Sequence, residues 1–255
     1  MRKIVLLFAV VVFVTWGGVA YADAGHGGGV VVEKPVEVEV KIPTSQGVLD
    51  LLNQVILTIA RDIPPILEAG FNKLAEVFNS ASSVSWTTFN TISASNLSSE
   101  GIATIAFQVE TTTLLTAFNE GTATSFSASR VTLALWNAAG DDFTPYSYRA
   151  PTGPSAVRTM EDDDDKTFYF VDDDGKPVSD LVGAENIYPI FKVKDGDLGD
   201  TDGPGNETVT VNPSAVVTHN TGGTGGGGCD AGFSFAGAAL LVLAGGCFLF
   251  GKRGA

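Results

Sequence analysis

The sequence predicts a mainly β protein: an antiparallel β-sandwich preceded by a short helical segment, with a cleaved signal peptide and a C-terminal transmembrane sorting helix. Three observations lead to this prediction. Uncharged apolar runs lie near both ends of the 255-residue chain. Apolar residues recur at helical spacing after residue 47, and beyond residue 80 short runs rich in Ser, Thr, Val, Phe and Gly are typical of strands joined by turns.

These patterns divide the chain into six segments. We expect a signal peptide at 1–22, a glycine linker and extended strand at 23–46, an amphipathic helical segment at 47–80, an acidic β-sandwich domain at 81–217, a Gly-rich linker at 218–228 and a sorting signal with its transmembrane helix at 229–255.

The N-terminus has the three parts of a secretory signal. Arg2 and Lys3 precede an apolar run that extends from Ile4 to Val14. Ala20 and Ala22 then occupy the two positions at which signal peptidase requires small residues. The run is short for a membrane span. We therefore expect cleavage after Ala22 and export of the remainder.

The exported body is strongly acidic. The whole chain carries a formal net charge of −14, and four basic residues but only one acidic residue lie outside 23–228, which leaves −17 for that segment. Such a charge argues against nucleic acid as a partner, because phosphate binding needs a basic surface. Both cysteines, Cys229 and Cys247, belong to the C-terminal segment, so the body contains no disulfide.

The C-terminal segment has the length of a membrane span. Residues 231–250 carry no charge, and about 20 helical residues cross a hydrocarbon core of about 30 Å. Lys252 and Arg253 follow, and by the positive-inside rule they remain cytoplasmic. Two interpretations are open: a plain stop-transfer anchor, and a sorting signal that a membrane protease recognises and cuts.

The tail favours the second interpretation through a resemblance. A glycine run, the motif Cys-Asp-Ala-Gly-Phe, an apolar span and a basic end resemble the Synergist-CTERM protein-sorting domain. The matching positions are Gly226, Gly227, Gly228, Cys229, Asp230, Ala231, Gly232 and Phe233, followed by Lys252 and Arg253. The resemblance implies processing by a sorting protease and a place in a bacterial cell envelope, membrane-anchored before processing.

The first part of the body shows two kinds of periodicity. Val36, Val38, Val40 and Ile42 alternate with charged residues, which predicts a strand, and Pro35 favours a sheet edge or an extended stalk.

Helical spacing follows this strand. Apolar residues from Val48 to Ile59 predict an amphipathic helix that Pro64-Pro65 ends. A second helix should begin at Pro65, with an apolar stripe of Leu67, Phe71, Leu74 and Phe78. Three interpretations of this stripe are open: it mediates oligomerisation, it lies on a membrane surface, or it packs against the domain that follows.

Beyond residue 80 several segments predict strands. They are residues 101–110, 129–136, 167–171, 188–193 and 208–211. Short strands separated by turns are typical of an antiparallel sandwich, and we expect six or more of them.

One loop of the body suggests a ligand. Asp195, Asp197, Asp200 and Asp202 lie within eight residues, among glycines. Carboxylates on a flexible loop suit Ca²⁺, although the EF-hand template fails because Leu198 and Val209 would occupy its first and last ligand positions. The alternative is a solvated acidic turn. No cofactor is predicted, and calcium stays open.

A second resemblance covers residues 191–213. The segments 191–196, 199–203, 205–206 and 211–213 resemble the end of the choice-of-anchor U module, with Asp197 replacing an expected glycine. The resemblance implies surface display without a defined activity.

Motifs of catalysis are weak throughout. His26 and His219 lie in glycine-rich or linker sequence, where a base is poorly held. Trp86, Trp136, Tyr146 and Tyr148 either stack on a sugar or belong to the core. We therefore expect a non-enzymatic, surface-anchored structural or adhesive protein, or alternatively a calcium- or glycan-binding module. Its expected partners are signal peptidase, a membrane sorting protease, the membrane, and an extracellular protein or glycan.

Overall fold

Strands dominate the computed structural model, which describes residues 30–52, 54–150, 166–197 and 199–220. The strands are β1 Val31–Val32, β2 Val36–Val38, β3 Ile56–Ile59, β4 Ser83–Phe89, β5 Ile92–Ser95, β6 Ile102–Ala106, β7 Val109–Glu110, β8 Val131–Trp136, β9 Phe143–Tyr148, β10 Thr167–Val171, β11 Asn186–Lys194 and β12 Thr208–His219. The helices are α1 Gln46–Leu49, α2 Glu68–Val77 and α3 Thr111–Ala117, with a 3-10 helix at Ala128–Arg130. The prediction of a mainly β protein is confirmed.

The strands form one mixed sheet in the order β1-β4-β12-β8-β9-β10-β11-β6. Most pairs are antiparallel, but β1 and β2 run parallel to β4, and β9 runs parallel to β10. The expectation of a purely antiparallel sheet is therefore wrong. Parallel neighbours need long connections, and the chain supplies them with the 44 residues between β2 and β4 and the 18 residues between β9 and β10.

Strand β12 organises the sheet. Its first four residues, 208–211, pair with β5. From Ser214 onward it pairs with β4, and β8 pairs with its other side. Pro213, which has no N–H to donate, lies where β12 changes partner from β5 to β4. Eight of the twelve residues of β12 are buried, seven of them in the unbroken run 211–217. Continuous burial of this kind is expected of a central strand with both faces covered.

Apolar side chains fill both faces of the central strands. Val131, Leu133 and Leu135 of β8 enter the main core. Ala134 and Trp136, on the opposite face of the same strand, belong to a second cluster. The strand predicted at residues 129–136 is thus confirmed as β8, and both of its faces are buried.

Helix α2 covers the second cluster. Leu74 and Phe78 are buried there, and Phe71 packs against them, with its ring edge-on to Trp86 at a centroid distance of 5.3 Å. The interpretation that this stripe packs against the following domain is confirmed, although Leu67 is 52% exposed.

The helix predicted from Val48 to Ile59 is wrong in its second half. Helix α1 ends at Leu49, and Ile56–Ile59 forms strand β3 beside β5. Val48, Leu51 and Leu52 are nevertheless buried, as their spacing indicates. The β-branched residues Ile56, Thr58 and Ile59 favour a strand, and β5 supplies the backbone partners.

The strand predicted around Pro35 lies at a sheet edge, as one of the two interpretations requires. Residues 31–38 flank the outer side of β4, and Val38 and Val40 are buried, whereas Val36 and Ile42 are each 43% exposed.

Candidate functional site

The acidic loop between β11 and β12 is closed by its own hydrogen bonds. Asp195 accepts the backbone N–H of Gly205 at 2.9 and 3.0 Å from its two carboxylate oxygens. Asp197 Oδ2 lies 2.9 Å from Lys166 Nζ. Gly196, Gly203 and Gly205 have φ values between 82° and 84°, which only glycine adopts without strain. Two of the four predicted ligands thus bind partners in different directions.

The other two aspartates lie together. Asp200 accepts N–H groups from Gly196 at 2.8 Å and from Thr210 at 3.0 Å. Asp202 accepts the hydroxyls of Thr208 at 2.6 Å and of Thr210 at 2.9 Å. The loop therefore uses these carboxylates as acceptors that close the turn leading into β12.

Proximity separates the pKa values of this pair. Burial raises the pKa of Asp200, and its hydrogen bond to Asp202 adds to the increase. Burial acts in the same direction on Asp202, but hydrogen bonds from Asp200, Thr208 and Thr210 outweigh it and lower its pKa to about 2.

The four aspartates do not converge on one point. No cluster of three or more His, Cys, Asp or Glu side chains suited to a metal ion occurs among the described residues. The aspartate spacing does not fit an EF-hand, and the described residues of the loop do not form such a site either.

The four aromatics for which sugar stacking and core burial were both open belong mostly to the core. Trp86 and Trp136 are each 1% exposed and Tyr146 is 2% exposed. The two indole rings lie 5.7 Å apart. Tyr148 is half-buried, and its hydroxyl donates to the carbonyl of Val178 at 3.1 Å. The core interpretation is confirmed for the three buried rings, which have no face available to a sugar.

A polar network that the sequence did not reveal joins the two ends of the body. Ser85 Oγ donates to Glu33 Oε2 at 2.7 Å, and Asn119 Nδ2 donates to the same oxygen at 2.9 Å. His219 Nε2 lies 3.0 Å from Ser85 Oγ. On its other side, His219 Nδ1 lies 3.9 Å from Glu120 Oε1. Strand β12 thus extends to His219, inside the segment expected to be a linker.

The order of groups in this network is that of a nucleophile, a base and a carboxylate. Its surroundings do not suit that role: Ser85 has 0% exposure, and Glu33 is the acceptor for its hydroxyl. Glu120 is held by Arg130 at 2.8 Å. The arrangement joins the edge segment 31–38, strands β4 and β12, and the residues after α3. No local sequence signal marks it because its members are far apart in the chain.

A pocket of about 370 Å³ opens where β3 begins, β5 ends and β6 begins. Its polar lining includes Gln54, Asn96, Thr104 and Lys192. Gln54 and Asn96 adopt left-handed backbone conformations, with φ of 69° and 60°, and Asn96 Nδ2 donates to the Gln54 carbonyl at 2.8 Å. Amides, hydroxyls and an amine equip this pocket for hydrogen bonding, and its lining holds no carboxylate or imidazole for acid–base chemistry.

The remaining predicted site residues lie outside the described ranges. These are Ala20 and Ala22 of the cleavage site, and Gly227, Gly228, Cys229, Asp230, Ala231, Gly232, Lys252 and Arg253 of the sorting signal. Within the ranges that are described, no helix has both the length and the hydropathy to cross a membrane.

The chain matches no protein-family model, no curated protein and no solved structure.

Proposed function

We propose that this protein is an exported structural or adhesive protein of a bacterial cell envelope, sorted to the surface through its C-terminal tail. The observation that carries the proposal is the order of features in that tail. A glycine run reaches Cys229, an uncharged span of membrane length follows, and Lys252 and Arg253 complete it. Together with the N-terminal export signal, this order directs the acidic body out of the cell.

The body has properties that suit an extracellular setting. Segment 23–228 contains no cysteine, so its stability is independent of the redox state around it. Its polar side chains form closed networks, as in the 195–210 loop and around Ser85. We propose a sandwich-like packing of the sheet layers around the main core, and a role in binding or structure without catalysis.

Mass spectrometry of the native C-terminus tests the sorting proposal. We expect the mature chain to lack the apolar span or to carry a modification at Cys229. Cys229→Ser should leave the tail unprocessed, because the thiol at the membrane boundary is the group the motif presents. Cys247→Ser is the matched control and should be processed normally, since Cys247 lies inside the span. An intact chain with both ends, recovered from the soluble interior of the cell, would contradict the proposal.

The alternative is a calcium- or glycan-binding surface module. The observation that favours calcium is the presence of four aspartates, Asp195, Asp197, Asp200 and Asp202, on one glycine-containing loop. The glycan alternative relies on the polar pocket beside β3, since Trp86, Trp136 and Tyr146 are buried. A glycan array with no bound member would exclude the glycan alternative.

A further inference from the structure

Strand β3 is an edge strand without charge. Its residues pair with β5, from Ile56 opposite Ser95 to Ile59 opposite Ile92. In the part of the chain that the structure describes, no strand pairs with its other edge. Residues 55–60, Val-Ile-Leu-Thr-Ile-Ala, contain no charge, proline or glycine. A strand edge of this composition exposes N–H and C=O groups that another strand can bind.

The neighbouring part of the same sheet edge is protected against such pairing, since β4 and β5 lie on one side of β12 and strands β1, β2 and β3 all pair with their outer side. Residues 31–38 form the edge beside β4, and this segment carries Glu33, Lys34, Pro35 and Glu37. Charges and proline on an edge prevent the addition of a further strand. One part of this edge therefore has the usual protection, and β3 lacks it.

The exposure of the β3 side chains also favours pairing at this edge. Leu57 enters the main core and is 8% exposed, whereas Ile56, on the opposite face, is 60% exposed. That is the largest exposure of any large apolar residue among those described. Burying Ile56 together with the free strand edge would remove apolar surface from water, at about 25 cal/mol per Å².

We propose that the outer edge of β3 pairs with β3 of a second copy of this chain. Each body carries a net charge of −17, so most surfaces of two copies repel each other. The β3 edge brings no like charges opposite one another. Antiparallel pairing about a two-fold axis makes the contact self-complementary. This pairing is a property of the body and does not rest on the proposed sorting.

The register follows from the two faces of the strand. With Leu57 opposite Leu57, Ile56 of each copy lies opposite Thr58 of the other, and Leu57 stays on the core side of both sheets. Four residues per copy make an interface below about 1,000 Å², so association in dilute solution is weak. Copies held side by side reach a higher effective concentration.

Sedimentation equilibrium of the full chain in detergent, with reductant, tests the proposal. We expect the average mass to rise with protein concentration, and Ile56→Lys to weaken association at least tenfold, because a lysine on the edge blocks strand addition. Val36→Lys is the matched control: Val36 is 43% exposed on the protected part of the edge, and its variant should associate like the unchanged chain. A monomer at all concentrations, or equal association of Ile56→Lys, would overturn the proposal.

Cysteine cross-linking tests the register and does not depend on a charged substitution. In a chain with Cys229→Ser and Cys247→Ser, Ile56→Cys and Thr58→Cys are introduced separately. Mixing the two should give a mixed disulfide on mild oxidation, and either one alone should give little. No mixed disulfide, or equal yields in all three samples, would contradict β3 self-pairing in this register.

Discussion

Ser214 and Trp136 form a hydrogen bond at the centre of the sheet. Trp136 Nε1 donates to Ser214 Oγ at 2.8 Å, and the two residues are 1% and 0% exposed. Neither group reaches water, so the loss of one leaves the other unsatisfied. The indole of Trp136 can therefore occupy this apolar cluster only because β12 places a hydroxyl beside it.

Removal of that hydroxyl should destabilise the fold. Ser214→Ala leaves the Trp136 N–H without its acceptor, and we expect a loss of about 1–3 kcal/mol in the free energy of unfolding. Urea denaturation measures it. Thr58→Ala is the control, because the exposed hydroxyl of Thr58 makes only a 3.4 Å contact, and its effect should stay within about 0.5 kcal/mol. Equal stability of Ser214→Ala and the unchanged chain would contradict the geometry.

Tyr188 connects burial to alkaline stability. Its side chain is almost fully buried and its hydroxyl donates to Asp173 Oδ1 at 2.6 Å. Burial, and then the hydrogen bond and charge of Asp173, raise the pKa of Tyr188 from 10.0 to about 12. The folded state thus retains a proton that the unfolded state has released.

This shift predicts the sign of the alkaline transition. The contribution of Tyr188 to stability is complete below pH 10, its unfolded pKa, and is lost as the pH rises through about 12. Melting temperatures measured from pH 9 to about 12 should fall, and less steeply in Tyr188→Phe. The absorbance of tyrosinate should show the residue still protonated in the folded chain above pH 10. Equal slopes for both chains would contradict the assignment.

Helix α1 depends on close contact with a turn. Gly47 lies against Asp174 and Gly175 of the turn after β10, and a Cβ on Gly47 would overlap the Asp174 backbone. The chain therefore has glycine in the interior of a four-residue helix, where it is unfavourable by propensity. Packing, rather than propensity, determines this residue.

Gly47→Ala separates the two effects by sign. Helix propensity alone predicts a gain of up to about 1 kcal/mol, whereas the overlap predicts a loss of about 1–3 kcal/mol. We expect the loss, measured as the free energy of unfolding in urea. Gly121→Ala is the control, since a Cβ there would meet atoms of Thr116, with the side-chain oxygen nearest at 3.0 Å, and would not overlap the backbone. A stabilised Gly47→Ala chain would show that α1 does not contact the turn.

At the scale of the whole molecule, the charge of −17 on segment 23–228 is the dominant electrostatic property. Self-repulsion of this size opposes compact folding, and salt screens it, with a Debye length of about 8 Å at physiological ionic strength. The melting temperature should therefore rise with added NaCl. A rise of about 2–4 °C corresponds to about 1 kcal/mol for a chain of this size.

The melting temperature in CaCl₂, compared with NaCl at the same ionic strength, tests the alternative of a calcium-binding module. Because the 195–210 carboxylates already accept internal N–H and O–H donors, we expect CaCl₂ to add nothing beyond its ionic strength. A further rise that Asp202→Asn abolishes would contradict this expectation and favour the calcium-binding module.

Local patterns predicted much of the fold. Alternation in β8, the apolar stripe of α2 and the proline of the first edge strand each indicate the observed element, because burial on one face imposes a period on nearby residues. The burial of Trp86 and Trp136 also follows from side-chain chemistry alone. The candidate site was harder to predict: the four aspartates form one loop, as expected, but their directions depend on partners such as Lys166 and Thr210.

The sequence by itself determined the class of the protein, its acidic body without cysteine and the places where most strands occur, because composition and periodicity are properties of neighbouring residues. Only the tertiary structure decided that Ile56–Ile59 is a strand, that β9 and β10 run parallel, and that Glu33, Ser85 and His219 meet. The partner of β3 is β5, which lies more than thirty residues away in the sequence. The partner of His219, Ser85, lies 134 residues away. Strand pairing and polar contacts between such distant residues are chosen by the packing of the whole chain, which no local window contains.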